Sequence, residues 1–356
     1  MQNRGKIGYV FASSNTSQGF YTFIPDLIAD LKKVYILKGA TGTGKSTFIR
    51  LLGESISEQG YEVEFWISAA DGVSPDGVYV PQLKSAIVNG SLPQPIDPTY
   101  PAGREVIINL SEYWNKEIID FNSREITQLV EKYQRHSDQA CSSLRNASRV
   151  KENIKKVISG HLNIEKMEKM VQDLSAEIME SQNREKHYFA SAVTAEGMIN
   201  YVDEISSDCS KRYIFRGPSG SGKSTIINEI AARAKQRGFM LEFYHCGLET
   251  ENIVMVIIRN LQLALVDADH FEVSAKPWDV IIDMAACLDN YDQDTVNGQT
   301  SELHRNFEAH MLQAQNELEQ AGNTIKEIKK IYSATMNFEG LNQKREEIRE
   351  EISRKD

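Results

Sequence analysis

Two short segments carry residues spaced for phosphate chemistry. Gly39-Ala40-Thr41-Gly42-Thr43-Gly44-Lys45-Ser46-Thr47 and Gly217-Pro218-Ser219-Gly220-Ser221-Gly222-Lys223-Ser224-Thr225 both fit the pattern GxxxxGK[ST]. Glycines at these places let a backbone wrap closely around a phosphate with its N–H groups turned inward. A helix starting at the end of the loop adds positive potential where the anion sits. Lys45 and Lys223 are expected to reach the β- and γ-phosphates, and the hydroxyls of Ser46 and Ser224 to ligate Mg²⁺. One match arises by chance in roughly one chain per hundred of this length. Two matches at the same place in a repeat are far rarer.

Such a loop is completed by an acid at the end of a neighbouring apolar strand, which holds Mg²⁺ through water. Leu263, Ala264, Leu265 and Val266 run into Asp267, with Asp269 two residues on. The matching run in the first half ends in Asn89, which carries no charge, so hydrolysis is expected mainly at the second loop. Asp71 and Asp76 lie where they could compensate. Glu64 and Glu242 recur within a strand and could be general bases or ordinary carboxylates. Arg104 and Arg259 are candidate phosphate contacts, and His270, close to Asp267, a candidate γ-phosphate sensor. His245-Cys246 ends a strand, where ligands often sit in αβ folds; Ile67-Ser68 stands there in the other half, which argues against a shared catalytic role. The Pro-rich stretch 93–101 is placed like a switch or substrate loop.

The elements that must position these residues are written twice. FASSNTSQGF, beginning at Phe11, returns as FASAVTAEGM from Phe189, and the offset of 178 residues also carries Gly39 to Gly217 and Lys45 to Lys223. Beyond the Pro-rich loop the offset becomes 174, pairing Val106 with Val280 and Lys155 with Lys329. A nearly ungapped match over about 170 residues reads as internal duplication. Each copy predicts a leading amphipathic helix (18–31; 196–205), an apolar strand, the glycine loop with its helix, and further strands. Strands alternating with helices predict a parallel sheet covered on both faces. A long amphipathic stretch follows. Its apolar positions Leu129, Val130, Tyr133, Cys141, Leu144, Ala147, Val150, Ile154 and Val157 recur mostly at three and four, and Gly160-His161-Leu162-Asn163 breaks it. The expected organisation is an αβ core (1–111), a helical hairpin (112–186), a second core (187–288) and a second hairpin (289–356). Each hairpin packs on its own core or serves as a dimerisation or partner-binding arm.

The 356-residue length suits two such units, and a net charge of −10 with pI about 5.4 argues against nucleic acid as the partner. Four scattered cysteines without a CxxC pair point to free thiols in a reducing compartment. No stretch reads as a membrane span and the N-terminal residues do not read as a secretory signal, so the cytoplasm is the default expectation.

These residues resemble the P-loop NTPase superfamily. The duplicated layout, the FAS…T…G lead-in, the GxxGxGKST loop and the Val-Asp strand end look like a bacterial family of tandem P-loop ATPases of poorly defined role. That resemblance implies ATP as ligand, Mg²⁺ as cofactor and hydrolysis as activity, with an aspartate where Asn89 stands. From the residues themselves three readings stay open: an ATPase moving two domains and their helical arms, a small-molecule or nucleotide kinase on the same loops, and a structural or sensory nucleotide site.

Overall fold

A computed structural model describes residues 4–99, 103–175, 184–268 and 273–353. The first half runs β1 (Ile7–Phe11), β2 (Ser13–Thr16), β3 (Gly19–Thr22), α1 (Ile24–Ile28), β4 (Lys33–Lys38), α2 (Lys45–Glu58), β5 (Val63–Ile67), β6 (Pro75–Val80), β7 (Ser85–Asn89), β8 (Glu105–Asn109), α3 (Lys116–Phe121), α4 (Ser123–Ser159) and α5 (Ile164–Ser175). The second half follows with β9 (Arg184–Phe189), β10 (Ser191–Thr194), β11 (Gly197–Asn200), α6 (Val202–Ile205), β12 (Lys211–Arg216), α7 (Lys223–Gln236), β13 (Met240–His245), β14 (Ile253–Ile258), β15 (Leu263–Asp267), β16 (Val280–Asp283), α8 (Gln293–Ser333) and α9 (Phe338–Ser353).

The chain is an α/β protein built on one 12-stranded sheet of order β16-β12-β15-β14-β13-β9-β1-β5-β6-β7-β4-β8. Reading outward from the β9–β1 junction, the same order appears on both sides. The junction itself is antiparallel and pairs Phe11 with Phe189, which are equivalent positions of the repeat. An element that meets its own equivalent lies on a two-fold axis. Nearby, the Asn15 side chain donates to the carbonyl of its own equivalent, Val193, at 3.0 Å.

The sheet is mixed rather than parallel. β6 runs antiparallel to β5 and β7, and β14 antiparallel to β13 and β15. The turns joining β6 to β7 and β14 to β15 are single 3-10 turns closed by Lys84 (φ +47°) and Gln262 (φ +48°). A link that short permits only a hairpin, because a parallel crossover needs a dozen or more residues.

The expected leading helices are mostly strand. Phe20, Phe23, Leu27 and Leu31 fall at helical spacing, but Pro25 lacks the N–H a helix interior needs and sits in the first turn of the short α1. Upstream, Gly19 at φ +110° turns β2 into β3, and the aromatic and β-branched residues Phe20, Tyr21 and Thr22 suit a strand. The second half repeats this with the β10–β11 hairpin and the four-residue α6.

Alternation along the strands sorts the core. Val34 and Ile36 of β4 join Ile214 of β12, Leu144 of α4 and Ala314 of α8 in one cluster. Tyr35 and Leu37 face the other way, onto Phe48, Ile49, Leu52 and Ile56 of α2. Burying each such side chain stabilises by roughly 1.5–3 kcal/mol.

The helical tails do not fold back as separate hairpins. α4 lies along α8: Ile126 and Leu129 near the start of α4 pack with Ile328 and Tyr332 near the end of α8, while Ile154 and Ile158 pack with Val296. The pair is therefore antiparallel. Beyond it, α5 packs on α7 of the second half, and α9 on α2 of the first. Each half covers the other's loop helix. The apolar stripes were legible in the sequence, but a stripe does not say which surface will cover it. Among the described residues, no helix is long and apolar enough to cross a membrane.

Candidate functional site

β4 is buried from Val34 to Leu37 and delivers the chain to Gly39 at the C-terminal edge of the sheet. Gly42 (φ +93°) and Gly44 (φ +91°) take left-handed conformations that a side chain would strain, and α2 begins directly at Lys45. The N–H groups of its first turn have no partner within the helix and make an anion site. Lys45 is buried and its Nζ donates to the carbonyls of Gly39 (2.7 Å) and Ala40 (2.8 Å). The second loop is built alike: Gly220 and Gly222 have φ of +95° and +90°, and Lys223 Nζ donates to Gly217 (2.7 Å) and Pro218 (2.9 Å). Each lysine thus closes its own loop across the space its ammonium shares with the helix N-terminus. Thr43 and Ser221 occupy equivalent buried positions; the Thr43 hydroxyl donates to Ala40, whereas Ser221 Oγ makes no hydrogen bond.

The acids come from nearby strands, Asp267 one strand from its loop's strand and Asp76 two. Asp267, the last residue of β15, is buried with an oxygen 3.8 Å from Lys223 Nζ. Ser224 Oγ donates to Asn252 Oδ1 at 2.8 Å, tying the first turn of α7 to the segment after β13. In the first half, Asn89 ends β7 and its Nδ2 donates to Asp76 Oδ1 at 3.0 Å, both side chains being buried. The second oxygen of Asp76 makes no hydrogen bond. Burial pushes the Asp76 carboxyl up to about 6, against the pull of Asn89 and, at longer range, the Ser68 hydroxyl. Burial likewise brings the Lys45 ammonium down to about 8, with the charge of Lys329 adding to the effect and that of Asp76 opposing it.

Other sequence candidates lie elsewhere. Glu64, near the start of β5, accepts from Trp66 Nε1 (2.9 Å) and the Tyr188 hydroxyl (3.1 Å). Glu242 accepts from Tyr244 (3.0 Å) and Arg259 Nε (2.7 Å). Both carboxylates stand at the edge of the sheet opposite the glycine loops and act as structural anchors. Arg259, held there by Glu242 and Asp208, and Arg104, which donates to the Ala29 carbonyl and pairs with Glu105, do not face the loops either. His245 Nε2 meets His187 Nδ1 at 2.8 Å and its other nitrogen meets the Thr250 carbonyl, a packed pair with Phe23 and Phe243 beside it. Asp71 caps its own turn through Ser74 and Val73. In the Pro-rich loop, Asp97 accepts from Lys38 Nζ at 2.6 Å. Asp269, His270 and residues 100–102 lie outside the described residues.

Sequence reasoning did not single out Lys155 and Lys151 of α4 or Lys329 of α8, although the backbones of Lys155 and Lys329 lie against Gly220 and Gly42 and both α4 lysines pair with Glu249. Their signal, lysines at the break of an amphipathic helix, is indistinguishable from a solvated face. Among the described residues, no cluster of three or more His, Cys, Asp or Glu is placed to hold a metal. Comparison with protein-family models, with curated proteins and with solved structures gives no match.

Proposed function

We propose that the chain binds ATP with Mg²⁺ at residues 39–47 and 217–225 and hydrolyses it, its halves being tandem P-loop NTPase cores of one duplicated unit. The observation that carries this reading recurs at both loops: a buried ammonium at the first residue of a helix lies on the carbonyls of a glycine loop. At the second loop the buried Asp267 carboxylate of the neighbouring strand lies 3.8 Å from it, and at the first the charge of buried Asp76, two strands from β4, acts on Lys45. Such an arrangement is a phosphate cradle with a counter-charge, and it has no evident structural purpose, since burying two charges costs stability.

The residues fit the metal. Ser46 and Ser224 stand in the first turn of their helices, and the unpartnered Asp76 oxygen and the Asp267 carboxylate are the acids that would accept from its water shell. Bound there, Mg²⁺ supplies charge neutralisation on the β- and γ-phosphates. The protein's own part is to hold the triphosphate by Lys45 or Lys223 and the loop amides, oriented for attack by water. Asp76 supplies the first loop with the carboxylate that Asn89 lacks, so turnover is expected at both.

The test is Mg²⁺-dependent phosphate release from ATP with no acceptor present, in the unaltered chain and in Lys45→Ala and Lys223→Ala. Each variant is expected to lose part of the release and the double variant all of it. ADP formation that requires an added acceptor would establish the kinase instead. Nucleotide binding without turnover would leave a sensory site.

A further inference from the structure

α8 crosses the first loop and α4 the second. A Cβ placed on Gly42 would fall 2.6 Å from Cα and 2.8 Å from the carbonyl oxygen of Lys329. A Cβ on Gly220 would fall 2.6 Å from the carbonyl oxygen and 3.0 Å from Cα of Lys155. Each loop is therefore in backbone contact with the last turns of the arm that issues from the other half, at equivalent lysines. The next helices continue the cover. A Cβ on Gly44 would meet Leu341 at 3.3 Å and Phe338 at 3.5 Å, and one on Gly222 would meet Met167 at 3.0 Å and Leu162 at 3.2 Å.

The charges follow the same exchange. Lys155 Nζ lies 2.9 Å from Glu249 Oε2, an oxygen that Lys151 Nζ also approaches at 2.9 Å. Glu249 opens the segment whose Asn252 accepts from Ser224, so Lys155 rests at the rim of the second loop beside the first turn of α7. In the first half Asp71 stands in the place of Glu249. Lys329 helps hold its carboxyl below the usual range and acts at the same time on Lys45.

We propose that each nucleotide site is completed in trans, Lys155 contacting the γ-phosphate at residues 217–225 and Lys329 the γ-phosphate at residues 39–47. This rests on the nucleotide-binding reading above and deepens it. The loop amides cradle the inner phosphates and the loop lysine spans the β- and γ-groups. The γ-group ends at the rim with oxygens beyond the reach of that one lysine, and a phosphate competes well with a carboxylate for an ammonium. On triphosphate binding Lys155 exchanges Glu249 for the γ-phosphate, while Lys151 keeps Glu249 paired. The arm of one half thereby registers the triphosphate of the other. Because α4 and α8 lie along each other, both signals meet in one helix pair.

The test uses the full chain in single-site backgrounds, Lys45→Ala for the second loop and Lys223→Ala for the first, with ATP and ADP titrated in the presence of Mg²⁺. Adding Lys155→Ala to the first background is expected to weaken ATP about tenfold while leaving ADP within about twofold, and Lys155→Arg to restore ATP. Lys329→Ala should do the same at the first loop. Glu249→Gln, which removes the competing carboxylate, is expected to move the ATP/ADP preference the opposite way, and it decides the matter if Lys155→Ala does not fold. Equal weakening of ATP and ADP, or no change in their ratio, overturns the trans contact while leaving the nucleotide sites standing. If the unaltered chain binds neither nucleotide, or if Lys45→Ala with Lys223→Ala binds as well as the unaltered chain, the underlying reading falls too.

Discussion

Asn89 donates its amide to Asp76 across two neighbouring antiparallel strands, Nδ2 to Oδ1 at 3.0 Å. The residues at those places in the second half are Asp267 and Val254, so each half buries one carboxylate here but on different strands. Asp76→Val is expected to weaken Mg²⁺-dependent nucleotide binding at the first loop on the order of tenfold or more. Asp76→Val with Asn89→Asp, which installs the second half's arrangement, should recover it. Titration in the Lys223→Ala background checks both. An unchanged affinity in Asp76→Val would remove Asp76 from the site.

Binding at the first loop should follow a bell-shaped pH profile. Under the proposed reading it needs Asp76 ionised and Lys45 protonated, which predicts a window between about 6 and about 8 in the nucleotide-free protein. The stability signs differ. The Asp76 pKa is raised on folding, so its contribution is present at low pH and lost as pH rises through about 6; Lys45 is lowered, and its contribution is lost as pH falls through about 8. Asp76→Asn should therefore stabilise the protein at pH 8 more than at pH 4, by an amount on the order of 1–3 kcal/mol. Denaturant unfolding at the two pH values reads it, and a larger gain at pH 4 would reverse the assignment.

Gly42→Ala and Gly220→Ala each demand a left-handed alanine and intrude on the backbone of an arm helix. Both are expected to destabilise by at least about 1–3 kcal/mol. Gly322→Ala makes the opposite case. It lies within α8 with nothing within 4 Å of its added methyl, and should stabilise by about 0.5–1 kcal/mol. Midpoints of denaturant unfolding separate the three.

Arg212 is fully buried and donates to Asp279 (2.6 and 2.8 Å) and to Asp203 (2.8 Å). Its equivalent in the first half is Val34. Arg212→Met leaves the buried Asp279 carboxylate without its cation and is expected to cost about 3–5 kcal/mol. A loss under 1 kcal/mol would mean the acid protonates or finds water.

What could be read from residue types alone was the local chemistry. The glycines, Lys45 and Lys223 announce their loops because only those residue types serve there, and the repeat registers as offsets. Strand direction was not legible, since Ile253–Ile258 looks the same in either sense and only the short turn at Gln262 fixes it. Phe20, Phe23, Leu27 and Leu31 imitate a helix that Pro25 forbids. Asp71 and Asp76 were both legible as acids near the first loop, and only the strand register that sets Asp76 beside Asn89 separates them. Lys155 and Lys329 could not be assigned across the repeat, because their place depends on which half each arm covers.

The arms that cross between halves give the chain the design of an exchanged dimer fused end to end. Phe11 against Phe189 and α4 against α8 are contacts that two identical subunits would make about a shared axis. Fusion frees that assembly from dependence on protein concentration, and it also frees the two subunits to drift apart in sequence. One keeps its acid at Asp76 and the other at Asp267; one arm carries Lys151 where the other has Ile325. A homodimer must change both loops together, whereas this chain can alter one loop and leave its twin alone.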